Sequence, residues 1–192
     1  MDILTKLSDL EILTRSQIQS LFNIPGVRNA NYIMQSLKEY TRSVFVGENA
    51  YYLNKRGRLL VGAKKQFRVS DQLTHKLMRN DAYIYFRPTD WRAEMEIGRG
   101  NISVIPDAFF FSGSSYKFLE VDNEQRWHVN KRKFEEYRQL KDANLFQRDK
   151  RFRKFPTLVW IVKYDSRIPK LKELAKESKI ACKVYSHKEV VL

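Results

Sequence analysis

Residues 105–124 read IPDAFFFSGSSYKFLEVDNE, and the fold of the C-terminal half turns on how they are read. Two aromatic-rich runs flank the turn-forming residues 112–115, so the stretch predicts a β-hairpin with strands over 103–111 and 116–123. With that turn, Phe111 pairs with Tyr116, and Asp107 stands opposite Glu120. Glu120 and Asp122 are two apart and share a face, while Leu119 and Val121 take the other. Three carboxylates then converge on one patch. Like charges opposed across a sheet cost stability, and a hard cation such as Mg²⁺ or Mn²⁺ would offset that cost. The metal ligands expected on this reading are Asp107, Glu120 and Asp122.

Working outward, strands are expected over 92–97, 157–164 and 181–185, and helices over 131–144 and 168–178. The order β-β-β-α-β-α-β implies a mixed sheet with helices packed on it, a domain of residues 91–192. Lys133 and Tyr137 are four apart on the first helix and face the same way. Either can point back over the sheet at the carboxylates, where a lysine can orient water or stabilise charge developing on a phosphate. Charge is unevenly spread. Residues 93–125 hold six acids against two bases, and residues 126–154 hold eleven bases against four acids. Phe146, Phe152 and Phe155 interleave with that basic run. The plainer alternatives are a solvated loop over core aromatics, and surface ion pairs from Glu120 or Asp122 to Arg126 or Arg132, worth little energetically.

In residues 1–62, Thr14 and Gln17 have capping-box spacing at a helix start. Ile18, Leu21 and Phe22 follow at helical spacing, and Pro25-Gly26 breaks the chain. A second helix begins near Val27, with Ala30, Ile33, Met34 and Leu37 on one face. Arg28, Asn29, Asn31, Tyr32 and Gln35 fall on the others. Two β-type runs around Gly47 and Asn49 then read as a hairpin. Helix, turn, helix, hairpin is the order of a winged helix-turn-helix, whose second helix enters the DNA major groove. Arg pairs with guanine there, and Asn or Gln with adenine. Lys55, Arg56 and Arg58, beyond the hairpin, suit phosphate contacts. The competing reading is a small packing module with a solvated polar face. Residues 63–90 read as a connector, with a helix over 71–80 and a strand beginning at 83–86.

The formal net charge of +14 in 192 residues favours a polyanionic partner. Double-stranded DNA leads as that partner, a homodimer would match a palindromic site, and no membrane partner is expected. One cysteine, Cys182, excludes an internal disulfide and fits a reducing, cytoplasmic compartment. No apolar run approaches the ~20 residues of a membrane helix, and the N-terminus has no leader character. His75, His128 and His187 are scattered, without Cys/His metal spacing, and no glycine-rich phosphate loop is present. Nothing marks Tyr51 or Tyr137 as a nucleophile.

Pro106-Asp107, followed by Glu120-Val121-Asp122 on the next strand, resembles the PD-(D/E)xK nuclease superfamily. That resemblance implies a restriction-endonuclease-like domain in which carboxylates hold Mg²⁺ for phosphodiester hydrolysis. The superfamily's lysine belongs where Asp122 stands. Some members carry Gln-x-x-x-Tyr on the next helix, and Lys133 to Tyr137 has that spacing with Lys in place of Gln. Asp107, Glu120 and Lys133 would be the catalytic set of an active member, and Glu94 or Glu96 the acidic residue that precedes the core and joins the metal ligands. The whole order also resembles the replication-relaxation family of plasmids and other mobile elements: a winged helix, a Pro-Asp-Ala strand, a Leu-Glu-Val-Asp strand, then a helix with Lys and Tyr. This implies DNA binding linked to replication or transfer of such an element.

Three functions follow. The first is a non-catalytic DNA-binding protein, needing no cofactor, to which Lys131, Arg132, Lys150, Arg151, Arg153 and Lys154 add affinity through phosphates. The second is a Mg²⁺- or Mn²⁺-dependent endonuclease or nickase. The third is a protein-interaction module.

Overall fold

The computed structural model describes residues 2–70, 72–149, 152 and 154–191. The chain divides after Ile84 into two compact units, both mixed α and β. Among the described residues no helix is long and apolar enough to cross a membrane.

The first unit runs α1 (Ile3–Leu10), β1 (Ile12–Thr14), α2 (Arg15–Phe22), α3 (Val27–Ser36), β2 (Thr41–Phe45), β3 (Asn49–Leu53), α4 (Lys55–Val61) and most of α5 (Leu73–Phe86). Its three strands form an antiparallel sheet in the order β1-β3-β2. The capping box at α2 is complete: Gln17 N donates to Thr14 Oγ1 (3.1 Å), and Thr14 N donates to Gln17 Oε1 (3.0 Å). This satisfies two of the helix's orphan donors. α3 buries Ala30 and Met34 and leaves its other faces in water. α1 and β1 go beyond the sequence expectation, although Asp2 caps α1 and Leu4, Leu7 and Leu10 are buried at helical spacing. Gly57 in α4 permits a close approach, because a Cβ there would lie 2.2 Å from the Tyr40 carbonyl oxygen.

Two expectations for the middle of the chain are corrected. Residues 83–86 are the last turn of α5, not the start of a strand. A short apolar run does not separate strand from helix by periodicity. Here burial of Met78, Ala82 and Ile84 keeps the helical period going past Asn80. The stretch expected as a connector is also tied down: Phe67 is buried against Ile12 and Ala50, and its ring meets Tyr52 edge-on at 5.2 Å. Where α5 passes the turn between α1 and β1, it buries Lys76, Arg79 and Asn80. Lys76 Nζ donates to both Glu11 oxygens at 2.9 Å, and Arg79 Nη2 donates to Glu11 Oε1 and to the Leu10 carbonyl at 3.3 Å each. Asn80 Nδ2 donates to the carbonyls of Leu10 (3.0 Å) and Ile12 (2.6 Å). Glu11 itself sits at φ 70.

The second unit runs β4 (Asp90–Ala93), β5 (Ile97–Arg99), β6 (Ile102–Val104), β7 (Ala108–Ser112), β8 (Ser115–Asp122), α6 (Trp127–Asp142), α7 (Leu145–Arg148), β9 (Thr157–Val162), a 3₁₀ turn (Asp165–Arg167), α8 (Ile168–Glu177), β10 (Cys182–Ser186) and α9 (His187–Val190). The sheet is mixed, in the order β10-β9-β8-β7-β4. β8, β9 and β10 are parallel, and β4, β7 and β8 are antiparallel. The strand expected over 92–97 is broken at Glu94 (φ 51). The one expected over 103–111 is broken between Val104 and Ala108, around Pro106, which has no N–H for the ladder. The detached pieces pair as the β5–β6 hairpin. The β7–β8 register joins Phe111 to Tyr116 and Ser112 to Ser115 across a two-residue loop. One face of the sheet packs Phe109, Phe118, Leu158, Trp160 and Val162 against Phe134, Tyr137, Leu140 and Leu171. Phe134 stacks on Trp160 at 5.0 Å and 10°.

Candidate functional site

The hairpin register and the α6 spacing decide which polar groups meet. Glu120 enters from the middle of β8 and is buried. Tyr137 Oη donates to its Oε1 at 2.7 Å, and Lys133 Nζ forms an ion pair with its Oε2. Asp107 stands immediately before β7, where its Oδ2 accepts the Val121 N–H at 2.6 Å. Asp107, Glu120 and Lys133 therefore come together, with Tyr137 as a fourth member.

Asp122 has a different environment. Its Oδ1 accepts the Gln125 N–H (2.9 Å), and its Oδ2 accepts Asn130 Nδ2 (2.7 Å) and the Arg167 guanidinium. Arg167 also donates to the Gln125 carbonyl. The side chain is fully buried and ties the β8–α6 turn to the start of α8. Glu94 and Glu96 are exposed, and Glu96 Oε1 accepts from Ser103 Oγ at 2.7 Å. Among the described residues no three His, Cys, Asp or Glu side chains gather to hold one ion. The donor chemistry points the same way. Both Glu120 oxygens are engaged by Lys133 and Tyr137, and the Asp122 oxygens carry three protein donors. These residues do not fit a resident Mg²⁺ or Mn²⁺.

Burial is the largest influence on the Glu120 carboxyl and lifts it from 4.5 to about 7. The Lys133 charge pulls it down, Asp107 pushes it up, and the hydrogen bonds from Lys133 and Tyr137 pull it down again. Burial works against the Lys133 ammonium, but the charges of Glu120 and Asp107 outweigh it and leave that group raised. The Tyr137 phenol is raised by burial and then by Glu120, so it stays a proton donor.

A stability slope follows from these directions. Below pH 4.5 Glu120 is protonated in folded and unfolded chains alike. Between 4.5 and about 7 the unfolded carboxyl ionises while the folded one holds its proton. Stability should therefore fall as pH rises through that window, by roughly 3 kcal/mol from this group alone. The Lys133 contribution has the opposite range: it is present at neutral pH and lost in alkali. Urea unfolding of the wild type and of Glu120→Gln across the window checks this. An unchanged slope in Glu120→Gln would assign the titration to other groups.

In the first unit, Arg28, Asn29, Asn31, Tyr32 and Gln35 are all exposed on α3, and Tyr32 is 77% exposed. Between α3 and the β2–β3 strands lies a groove of about 310 Å³, whose lining includes Asn31, Gln35, Arg15, Lys38 and Arg42. The last three were missed in the sequence. They lie on α2, on the turn after α3 and on β2, and only the fold brings them to one groove. Lys55 and Arg56 are exposed and Arg58 half-buried, and all three stand on α4. Arg56 pairs with Glu39 at 2.7 Å. In the second unit, Lys131 and Arg132 are exposed on α6, with Arg132 3.4 Å from Glu136. Lys154 is exposed, and Lys150, Arg151 and Arg153 lie outside the described residues.

No curated protein matches the chain. Among solved structures, protein VC1899 from Vibrio cholerae is similar at 10% sequence identity and a TM-score of 0.40. The match covers 97% of this chain and 47% of that one, so the chain spans about half the length of that protein. A superposition that loose leaves fold and activity to be argued from this chain's own residues. Residues 4–155 match the family described as replication-relaxation. That match takes in α1 to α6, the α3 surface and the Asp107–Glu120–Lys133 cluster, and the chain belongs to the replication-relaxation family.

Proposed function

We propose that this protein binds double-stranded DNA in the replication or transfer of a mobile element, and does so without cutting it. The exposed polar face of α3, beside a groove bearing Arg15, Lys38 and Arg42, carries the reading. The order α2, turn, α3, β2–β3 hairpin is that of a winged helix-turn-helix. In that geometry α3 is the helix that enters the major groove. Arg28, Asn31 and Gln35 are the residue types that read base edges, and Lys55 and Arg56 suit phosphates. The second unit is read as a nuclease-like domain kept for binding, because the oxygens a metal would need already have protein partners. Family membership supports the mobile-element setting.

The test is an incubation with supercoiled and linear plasmid in Mg²⁺, Mn²⁺ or EDTA, beside Glu120→Ala. Each sample is run native and after protein removal. Shifted but uncut DNA, indifferent to metal and to Glu120→Ala, is the expected result. Metal-dependent nicking lost in Glu120→Ala would make the protein an endonuclease, and no shift at all would favour a protein-binding module. On a duplex selected from a random pool, Arg28→Ala or Gln35→Ala should each weaken binding by about 1–3 kcal/mol and relax the preference at one position. Equal losses on selected and unrelated duplexes would mean these side chains do not read bases.

A further inference from the structure

The second unit holds a pocket of about 370 Å³ that neither the duplex-binding reading nor the Glu120 cluster uses. It opens beside the β7–β8 hairpin, and its volume lies within the ~300–1,000 Å³ usual for small-ligand sites. Its lining combines three chemistries: the rings of Tyr116 and Phe152, the guanidinium groups of Arg92 and Arg99, and the carboxylates of Glu96 and Asp149.

The aromatic wall is held in place. Tyr116 stacks on the buried Phe109 ring at 5.0 Å and 9°, and the Phe152 ring meets it at 4.9 Å and 63°. Tyr116 Oη also donates to Asp90 Oδ2 (3.4 Å). Asp90 in turn receives Arg92 Nε (3.2 Å) and Nη2 (3.0 Å), so ring and guanidinium are linked through one carboxylate. Arg92, Arg99 and Glu96 are exposed at the rim.

An aromatic face with guanidinium groups beside it suits a flat, electron-rich ring carried on a phosphate. Carboxylates in the same pocket accept hydrogen bonds from exocyclic amines, as Glu and Asp do from cytosine. A purely apolar ligand would not use the four charged residues of the lining, and a bare phosphate would not use the rings. A base inside a duplex cannot enter such a concave site without leaving its stack.

We propose that this pocket takes one unpaired nucleobase of a single-stranded DNA segment. The proposal rests on the nucleic-acid reading of the protein and adds a second, strand-state-specific site to it. Such a site would add recognition of an unpaired base to the duplex binding proposed for α3.

The experiment uses the full chain and a short single-stranded oligonucleotide carrying one 2-aminopurine, which bears an exocyclic amine and loses fluorescence on stacking. Saturable quenching is expected, weakened about tenfold or more in the double variant Arg92→Ala/Arg99→Ala. Both changes are on exposed side chains, and circular dichroism checks that the variant is folded. The variant Arg28→Ala/Gln35→Ala should weaken duplex binding and leave the quenching unchanged. No quenching, or quenching equally strong in Arg92→Ala/Arg99→Ala, overturns the proposal. A free 2-aminopurine nucleotide binding as tightly as the oligonucleotide overturns the single-strand source. If duplex binds and the oligonucleotide does not, this site fails and the duplex reading stands; if neither binds, both fail.

Discussion

Glu11→Ala is expected to lower the unfolding free energy by about 3–5 kcal/mol, because it removes the acceptor that two buried cations share. Lys76 is 8% exposed and Arg79 is wholly buried, and both donate to the Glu11 carboxylate. Removing the acid takes away the carboxylate that this buried ammonium and guanidinium share. The backbone does not confuse the comparison, since Glu11 is at φ 70 and an alanine there bears the same left-handed strain. Glu11→Gly should be less damaging than Glu11→Ala by about 1 kcal/mol, because glycine relieves that strain. Urea denaturation of the three proteins gives both differences. A loss below about 1 kcal/mol in Glu11→Ala would mean that solvent or their other partners satisfy Lys76 and Arg79.

Asp122→Ala is the second large effect, again about 3–5 kcal/mol. The carboxylate is buried and accepts three donors, from the Gln125 backbone, Asn130 and Arg167. The sign of this result is informative. A carboxylate kept for chemistry is often a cost to the fold, and its removal tends to stabilise. A carboxylate that ties a turn to two helices must destabilise when removed. Asp122→Asn keeps an acceptor for one donor and should fall between alanine and wild type. A stabilised Asp122→Ala protein would return Asp122 to the catalytic candidates.

These two residues also mark the limits of what the sequence made legible. The convergence of Asp107, Glu120, Lys133 and Tyr137 followed from local rules: a two-residue loop between Ser112 and Ser115 sets the register, and a four-residue step on α6 sets the facing side chains. The capping box at Thr14 and the α3 polar face were legible for the same reason. Asp122 was not, because its partner Arg167 arrives from 45 residues later on another element. Alternation along a strand says which face a carboxylate takes and nothing about what meets it there. The extension of α5 to Phe86 was hidden for another reason: residues 83–86 are a short run of aromatics and one isoleucine that fits strand or helix, and only the burial of Ala82 and Ile84 decides for helix. The groove bearing Arg15, Lys38 and Arg42 needs three elements in place before it exists.

The family match ends at residue 155, two residues before β9 begins. A chain shortened to that boundary would lose β9, α8 and β10. The apolar face of α6 bearing Phe134 would be bared, and so would the edge of β8 that pairs with β9. A cut after β9 is worse in another way. It leaves Thr157–Val162, sequence TLVWIV, as an uncovered edge strand with no charge and no proline. Such an edge invites pairing with the same strand of a neighbouring molecule. The parallel strand β10 is therefore a lid against self-association, and truncations of this protein should be judged by whether they keep residues 182–186.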